Sequence, residues 1–392
     1  MKRGLDIVMF LTNGLASDPR VEKEAAALIA AGHQVTVLAW DREGSLPRVE
    51  ERAGMHIERL GPVSGHGRGV RSIPGFRTYW SAAARRAVEL RPDVLHCHDL
   101  DTAVAGLRAR KRLSRAGRSP RLVLDFHELY RESNMIPKGW AGRSVRLAVT
   151  LVERRSIPAA DAVLVANPGS IGAYDRYASA TAFHVIENAP DIDRFEPRGP
   201  LRKEPGEPLT VGFMGQKRYI DSLLDLIEVV GRDDRLRAIL AGGGVGAAQV
   251  EGAAAGNDRI EVSGRFVYDE LPGLYGRCDA IHAVYDTGLG NVRTLFPVKV
   301  MEAMASALPV IVAKGTWIAG YVEGHGIGYS VAPGTDELHR VLEDMLGDPA
   351  RAAEMGARGR ALIEAGLNWH AVADRLVDVY AGLGNSPSDR HG

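Results

Sequence analysis

Residues 5–40 read LDIVMFLTNGLASDPRVEKEAAALIAAGHQVTVLAW, and this stretch decides the fold class. Leu5 to Leu11 is a continuous apolar run of strand length, Thr12 to Ser17 is a loop, and Asp18-Pro19 is an N-cap followed by proline in the first turn. The helix that follows sets Val21, Ala25, Leu28 and Ile29 on one face and stops at Gly32. Gln34 to Trp40 is the next buried strand. Strand, crossover helix and strand make a βαβ unit, which predicts an α/β protein built on a doubly wound parallel sheet. A dinucleotide-binding dehydrogenase would carry G-x-G-x-x-G between the first strand and helix, and Asn13-Gly14 does not supply it.

The alternation continues through the N-terminal half. Ile73 to Leu90 places Phe76, Tyr79, Trp80, Ala83 and Ala87 at helical spacing, with Arg77, Arg85 and Arg86 elsewhere around the helix. A basic amphipathic helix of this kind can lie on a membrane surface. Packing against the sheet explains the same stripe and is preferred, because every crossover helix needs one buried face. Arg108 to Arg121 is a second basic run, read as a solvated helix end and loop. His96 and His98 end the strand Asp93 to Cys97, and His127 ends the strand Arg121 to Phe126. Ligands of open parallel sheets collect beyond the carboxyl ends of strands, so these histidines are candidates for a site. His-x-His invites a metal reading, but no second His/Cys or acidic cluster stands at ligand spacing, and no metal is expected.

A chain of 392 residues can bury two domain-sized cores. Lys and Arg number 49, as do Asp and Glu, so nothing calls for bulk nucleic-acid binding. The charge is uneven: residues 1–197 hold 29 Lys and Arg against 23 Asp and Glu, leaving +6 there and −6 in the remainder. A basic N-terminal half offers contact with acidic acceptors or with an anionic membrane at its periphery. Two domains of opposite sign attracting one another would produce the same asymmetry. Cys97 and Cys278 fit a reducing compartment without disulfides. With no signal peptide and no membrane-length apolar run visible, the expectation is a cytoplasmic chain, at most peripheral to the inner face of the membrane.

The Pro-rich stretch Glu196 to Pro208 has the composition of a linker. After it, the strand Leu209 to Gly215 ends in Gln216-Lys217-Arg218 ahead of the helix Ile220 to Val230, and cations there are well placed for a diphosphate. Gly242 to Gly246 mimics a phosphate loop, although glycine-rich turns are common. Further on, the strand Asp279 to Asp286 precedes NVRTLFPVKVMEAMASALPVIVA, residues 291–313, read as a loop, the helix Val298 to Ala307 and the strand Pro309 to Ala313. Lys299 and Glu302 lie three residues apart and share a helix face close to the N-terminus, where N–H groups and the macrodipole favour an anion. Cation, N–H donors and carboxylate together suit a nucleoside diphosphate. A solvated Lys-Glu pair would carry the same spacing.

The run from Phe296 to Val312 resembles the donor-binding segment of the retaining glycosyltransferases of the GT-B fold, family 4 (group 1), in the form P-x-K-x-x-E-x-M-A-x-x-x-P-V. DPRVEKEAAALIAAGHQVTVLA is similar to that family's opening unit, and LVLDFHELYRES to its D-x-H-E-L segment. The resemblance implies two Rossmann-like domains facing a central cleft, residues 1–197 on the acceptor side and 206–367 on the nucleotide-sugar side. The closing segment 368–392 would carry a helix crossing back, with Ser386 to Gly392 a frayed tail. It implies Glu302 on the ribose, and Lys217, Arg218 and Lys299 with Gly215 at the diphosphate. Backbone groups at Arg265, Phe266 and Val267 would meet the base. His127 would stand beside the anomeric carbon, with Asn13, Gly14, Arg20, His98 and Glu128 on the acceptor side, although Arg20 also reads as an ordinary exposed first-turn arginine. Most relatives place a second Glu where this chain has Thr294, so Thr294 is assigned to the donor sugar and the choice of sugar is open. The implied activity is metal-independent sugar transfer from a nucleotide diphosphate sugar, a substrate and not a cofactor, with retention of configuration. A nucleotide-sugar 2-epimerase and a non-catalytic sugar-nucleotide-binding protein stay as alternatives.

Overall fold

Apolar runs too long and too continuous for one-sided burial require sheets covered on both faces, and the computed structural model has two of them. It describes residues 3–64, 73–133, 136–137, 139–177, 181–197 and 207–384. By its internal contacts the chain divides into one unit of residues 1–187 and 373–392 and another of residues 188–372. The division falls after Glu187, ahead of the Pro-rich stretch, most of which lies outside the described residues, as does the expected tail from Ser386.

The first unit runs β1 (Asp6–Leu11), α1 (Pro19–Ala30), β2 (Gln34–Ala39), β3 (Val49–Arg52), β4 (Met55–Arg59), α2 (Ile73–Leu90), β5 (Val94–His98) and α3 (Ala103–Arg115). It continues with β6 (Arg121–Phe126), α4 (Gly139–Ser156), β7 (Ala162–Val165) and β8 (Phe183–Val185). Its sheet has the order β3-β4-β2-β1-β5-β6-β7-β8, parallel except for the β3–β4 hairpin. That hairpin turns on Ala53 and Gly54, both at positive φ. The Asp18 carboxylate accepts from Val21 N–H and Pro19 opens α1, as the sequence predicts. The stripe on α2 is spent on the core: Tyr79, Ala83 and Ala87 are fully buried, and the Tyr79 ring stacks on Trp40 at 5.5 Å. Tyr79 hydroxyl donates to Leu38 O (2.7 Å) and accepts from Leu11 N–H (3.1 Å), pinning α2 over the sheet. This helix therefore has no apolar face left for a membrane.

The second unit contains β9 (Leu209–Met214), α5 (Ile220–Arg232), β10 (Leu236–Ala241), α6 (Ala247–Ala254), β11 (Ile260–Ser263), α7 (Leu271–Gly276), β12 (Ala280–Ala283) and α8 (Val298–Ala305). After these come β13 (Val310–Ala313), α9 (Trp317–His325), β14 (Gly328–Val331), α10 (Thr335–Gly347) and α11 (Pro349–Ala365). The all-parallel order is β11-β10-β9-β12-β13-β14. The last helix, α12 (Trp369–Leu383), passes out of this unit at Val372, and its remainder belongs to the first. Within that unit Arg375 pairs with Glu187, and Tyr380 hydroxyl meets His96 Nδ1 at 2.6 Å. Among the described residues no helix is long and apolar enough to cross a membrane.

Each sheet reverses its winding at its first strand: β1 lies between β2 and β5, β9 between β10 and β12. A crevice opens at the carboxyl ends of such strands, because the flanking connections leave in opposite directions. Helix α8, buried along Val300 to Ala305, is packed there by α11, whose Gly356 and Gly359 allow close approach. A Cβ on Gly356 would lie 2.0 Å from Ala307 O. Gly356→Ala should therefore lower the denaturation midpoint of this unit, by overpacking worth about 1–3 kcal/mol. An unchanged urea midpoint would show that α11 shifts freely and does not fix α8.

Candidate functional site

The carboxyl ends of β5 and β6 in the first unit gather a charged cluster around Asp125. Alternation along β6 puts Asp125 and His127 on one side of its end. Asp125 is fully buried, and Arg20 grips both its oxygens, Nε at 2.9 Å and Nη2 at 2.5 Å. Arg20 Nη1 also donates to Ile186 O at 2.6 Å. Arg20 is 4 % exposed, so the acceptor-side expectation for it is corrected: its guanidinium is turned inward to hold a carboxylate. His98 is corrected likewise, since it is fully buried, with Nδ1 3.1 Å from Asp125 Oδ2. Solvent reaches this cluster at His127, one-fifth exposed, and at Asp99, about one-quarter exposed.

Both ring nitrogens of His127 face carboxylates, Nε2 to Asp125 at 2.8 Å and Nδ1 to Asp99 at 3.5 Å. Burial pulls its pKa down, but Asp99 and Asp125 outweigh that and raise it to about 9. At neutral pH His127 is therefore an imidazolium, able to donate hydrogen bonds and unable to act as a base. Burial likewise opposes charge on Asp125, yet Arg20 and the histidines hold it well below the usual carboxylate range. Asp99 has φ +65°, uncommon outside glycine, and it ties the two strand ends together. Its N–H donates to Asp125 O (2.7 Å) and its Oδ1 accepts from His127 N–H (3.3 Å).

Contrary to the expectation that His-x-His stands without acidic partners, Glu24, His96, His98 and Asp125 have potential ligand atoms within 4.8 Å of one another. A positive charge already serves these carboxylates, since Arg20 Nη2 lies 3.0 Å from Glu24 as well as 2.5 Å from Asp125. The remaining candidates of this unit are partly spent. Asn13 uses its amide on Asp18 (2.9 Å) and Leu15 N–H (2.8 Å). Gly14 O accepts from Arg59 (2.8 Å), and Glu128 is half-buried one residue beyond His127.

In the second unit the loops after β9, β10, β11 and β12 bring most of the other candidates together. Lys217 requires a correction: it is fully buried, its ammonium donating to Gly242 O and to Ser263 O (2.7 Å). It laces three strand ends and is not available to a diphosphate. Gly244 takes φ +136°, and a Cβ there would lie 2.8 Å from Lys217 N, so the glycine-rich turn serves this close packing. Arg218 is exposed beside it, donating to Gln216 Oε1 (2.7 Å).

Lys299, in the first turn of α8, points to Gly215. Gly215 has φ +140°, and a Cβ on it would lie 3.2 Å from Lys299 Nζ, so glycine leaves room for the ammonium. The ammonium rests 3.6 Å from the Phe213 ring centroid and 5.1 Å from that of Tyr285. No hydrogen bond or ion pair engages it among the described residues. Burial lowers its pKa to about 7, against a smaller upward pull from Glu302. Glu302, one turn further, is 5 % exposed and accepts from Tyr275 hydroxyl at 2.8 Å. Thr294 ends a short 3-10 turn, Gly290–Thr294, its hydroxyl 3.4 Å from Asn291 O. Beyond β11, Arg265 leans over Gly243, Phe266 is half-buried, and Val267 N–H donates to Glu270 Oε2 (2.9 Å).

Sequence reasoning passed over Asp125, Glu24 and Tyr275, and considered Asp99 only as a fallback metal ligand beside His96 and His98. The i, i+2 pattern of Asp125 and His127 and the i, i+4 pattern of Arg20 and Glu24 carried a signal for two of them. Tyr275, 27 residues from Glu302, carried none. Asp99→Asn removes one carboxylate while tolerating the left-handed backbone, and should lower the His127 titration midpoint by about one unit or more. Histidine NMR titration reads this directly, and a midpoint unmoved from about 9 would refute the assignment. Because the folded-state pKa is raised, the stabilisation from His127 is complete below about pH 6.5 and is lost as pH rises through about 9.

Two family models match the chain, the glycosyl transferase 4-like domain over residues 17–189 and glycosyl transferases group 1 over residues 191–362. A GDP-mannose-dependent monoacylated alpha-(1-6)-phosphatidylinositol monomannoside mannosyltransferase of Corynebacterium glutamicum is 24% identical over 227 residues, 52% of this chain and 57% of that protein. The GDP-mannose-dependent alpha-(1-6)-phosphatidylinositol monomannoside mannosyltransferase of Mycobacterium tuberculosis is 27% identical over 233 residues, 54% of this chain and 60% of that one. The matched region thus spans little more than half the length of these relatives. Among solved structures, sucrose-phosphate synthase of Thermosynechococcus elongatus superposes with TM-score 0.78 at 20% identity, covering 97% of this chain and 99% of its own. HepE of Anabaena, solved with UDP-glucose, gives 0.71 at 17% identity over 96% and 100%. At those identities the likeness establishes the GT-B fold, and the two family models together take in most of the sequence. The chain belongs to the group 1 (family 4) glycosyltransferases.

Proposed function

We propose that this protein transfers a sugar from a nucleotide diphosphate sugar to an acceptor nucleophile, with retention of anomeric configuration and without a metal. The observation that carries the reading is Lys299: a half-buried ammonium in the first turn of a buried helix, resting on two aromatic rings beside a glycine, with a pKa lowered by burial. Such a cation gains most from an incoming anion, because it loses little by leaving its present partners. Diphosphate oxygens at this point would be met by Lys299, the α8 N-terminus and the exposed Arg218. Charge building on the leaving diphosphate would be stabilised by the same groups. Glu302, oriented by Tyr275, is the carboxylate for ribose hydroxyls, and the backbone at Arg265 to Val267 is the neighbour for the base once Val267 N–H leaves Glu270. Thr294 takes the donor-sugar position.

The role of His127 is narrowed by its charge. An imidazolium repels a sugar acquiring oxocarbenium character, whereas its Nδ1–H, held in a long 3.5 Å pair with Asp99, can be shared with a hydroxyl and orient it. We assign it orientation through hydrogen bonding, with Asp99 and Asp125 as positioning residues. The relatives named for GDP-mannose and the neighbour solved with UDP-glucose make both sugar nucleotides first choices for a donor panel that also includes ADP-glucose.

Binding and slow donor hydrolysis across that panel, in saturating EDTA, test the reading, and the anomeric configuration of product follows by NMR. An epimerase would interconvert the sugar, and a pure binder would do neither. Glu302→Gln should weaken donor binding by about 1.5–3 kcal/mol, the range for a charged hydrogen bond. Wild-type affinity in a folded Glu302→Gln protein would remove the ribose assignment. Donor affinity should be greatest below the free Lys299 pKa of about 7 and fall as pH rises to 8.5, by at most roughly tenfold per unit. The sign follows from the depressed pKa, which bound diphosphate raises, so binding takes up a proton. Lys299→Met should flatten the profile as well as weaken binding, and a slope retained in that variant would assign the proton elsewhere.

A further inference from the structure

The loop between β12 and α8 presents a cation that has no anionic partner among the described residues. Its 3-10 turn, Gly290–Thr294, is anchored inward by Val292, 2 % exposed, and leads into Phe296, whose ring lies 5.5 Å from Trp317 and 5.2 Å from Tyr321 of α9. Between these two anchors Arg293 stands exposed and Thr294 half-buried. Arg293 Nε donates to Thr287 O at 3.1 Å, which ties the guanidinium to the loop. Its Nη groups make no hydrogen bond and it enters no ion pair among the described residues. The carboxylate of the same loop, Asp286, accepts instead from Gly288 N–H at 2.8 Å. The other cations at this end of the unit have other work. Lys217 is spent on carbonyls, Arg218 donates to Gln216, and Lys299 faces Gly215, where the diphosphate is assigned.

We infer that Arg293 selects a donor whose sugar carries a carboxylate, a nucleotide-activated uronic acid. The inference rests on the donor reading above, which puts the sugar at Thr294, the residue beside it. A neutral hexose offers only hydroxyls, and a solvated guanidinium gains little by exchanging water for them. A carboxylate takes two parallel charge-assisted bonds from the planar guanidinium, which supply strength and direction together. With Nε held on Thr287 O, the two Nη groups are left for that pairing, and a side chain tied down in advance loses less freedom when ligand arrives. The surrounding charge agrees. Thr294 contributes a neutral hydroxyl, Asp286 is engaged by the N–H of Gly288, and Glu302 is turned to Tyr275 hydroxyl at 2.8 Å. A sugar carboxylate therefore meets a cation at this turn, and the nearby acids already have donors.

Isothermal titration of the full chain tests it with matched ligands that differ only at C6 of the sugar. The series are UDP, UDP-glucose and UDP-glucuronate; GDP, GDP-mannose and GDP-mannuronate; and ADP, ADP-glucose and ADP-glucuronate. In the series whose base is accepted, the uronate is expected to bind about tenfold or more tighter than its neutral hexose, and the preference should shrink as salt is raised. Arg293→Gln changes an exposed position, so the fold should survive by circular dichroism while the preference vanishes and the bare nucleoside diphosphate still binds. A neutral hexose bound as tightly as its uronate, with the nucleoside diphosphate bound, would overturn the inference and leave the donor reading standing. A uronate preference retained by the folded Arg293→Gln protein would overturn the role of Arg293. Binding of no nucleotide in any series would remove the donor reading and this inference with it.

Discussion

The buried ion pair between Arg20 and Asp125 is the constraint on which the site end of the first unit depends. A carboxylate and a guanidinium removed from water cost several kcal/mol each, and their attraction repays this only with near-complete hydrogen bonding. The fold meets that requirement from distant parts of the chain: Arg20 from the first turn of α1, Asp125 from the end of β6, and Ile186 O just after β8. Fixing Asp125 fixes the two histidines that share its Oδ2. Their pairing raises the His127 pKa, and the raised pKa makes it a donor at neutral pH. A stability device at one level thereby sets a chemical property at the next. The same device extends to α12, where Tyr380 meets His96, whose ring stacks on His98 at 4.2 Å.

The second unit treats its cations differently. Lys217 is satisfied by the carbonyls of Gly242 and Ser263 and acts as mortar between strand ends. Lys299, a half-buried neighbour of Gly215, is left with aromatic faces alone among the described residues. A cation–π contact is worth about 0.5–2 kcal/mol, less than a charge-assisted bond to a desolvated anion. The difference between these two lysines is one of acceptor supply, and it separates a cation that holds structure from one that can hold ligand. Carbonyl supply is a tertiary property and has no sequence signature.

That distinction explains how much could be read from the chain alone. The βαβ pattern of residues 5–40, the Asp18 cap and the P-x-K-x-x-E segment were legible because they rest on local periodicity, caps and spacing. Lys299 and Glu302 could be paired because three residues on a helix is a geometric statement. Lys217 and Arg20 were misread because a cation near a strand end or helix start is equally compatible with an outward ligand and an inward partner, and the partners lie 25 to 166 residues away. The expectation of isolated histidines failed for a related reason: Glu24 and Asp125 join His96 and His98 only through the adjacency of β5 and β6 and the placing of α1.

The two amphipathic helices of the first unit carry the same lesson into energetics. Both α2 and α4 contain eighteen residues, aromatic and aliphatic side chains at helical spacing, and several arginines. By composition α2 is the better membrane candidate, since Phe76, Tyr79 and Trp80 are the larger apolar groups. The Phe76 and Tyr79 rings are drawn instead to Trp40 at the end of β2, with Trp80 packed on Phe76, and such contacts add to burial about 0.5–1.5 kcal/mol per aromatic pair. On its inward side α4 carries Gly142, Ser156 and the paired Glu153, with Val149 and Val152 packed on the core. With its inward side occupied by these, α4 has Trp140, Leu147 and Leu151 left exposed. The receptor surface beneath each helix, and not the helix's own periodicity, decides which apolar face is consumed by the fold and which stays available.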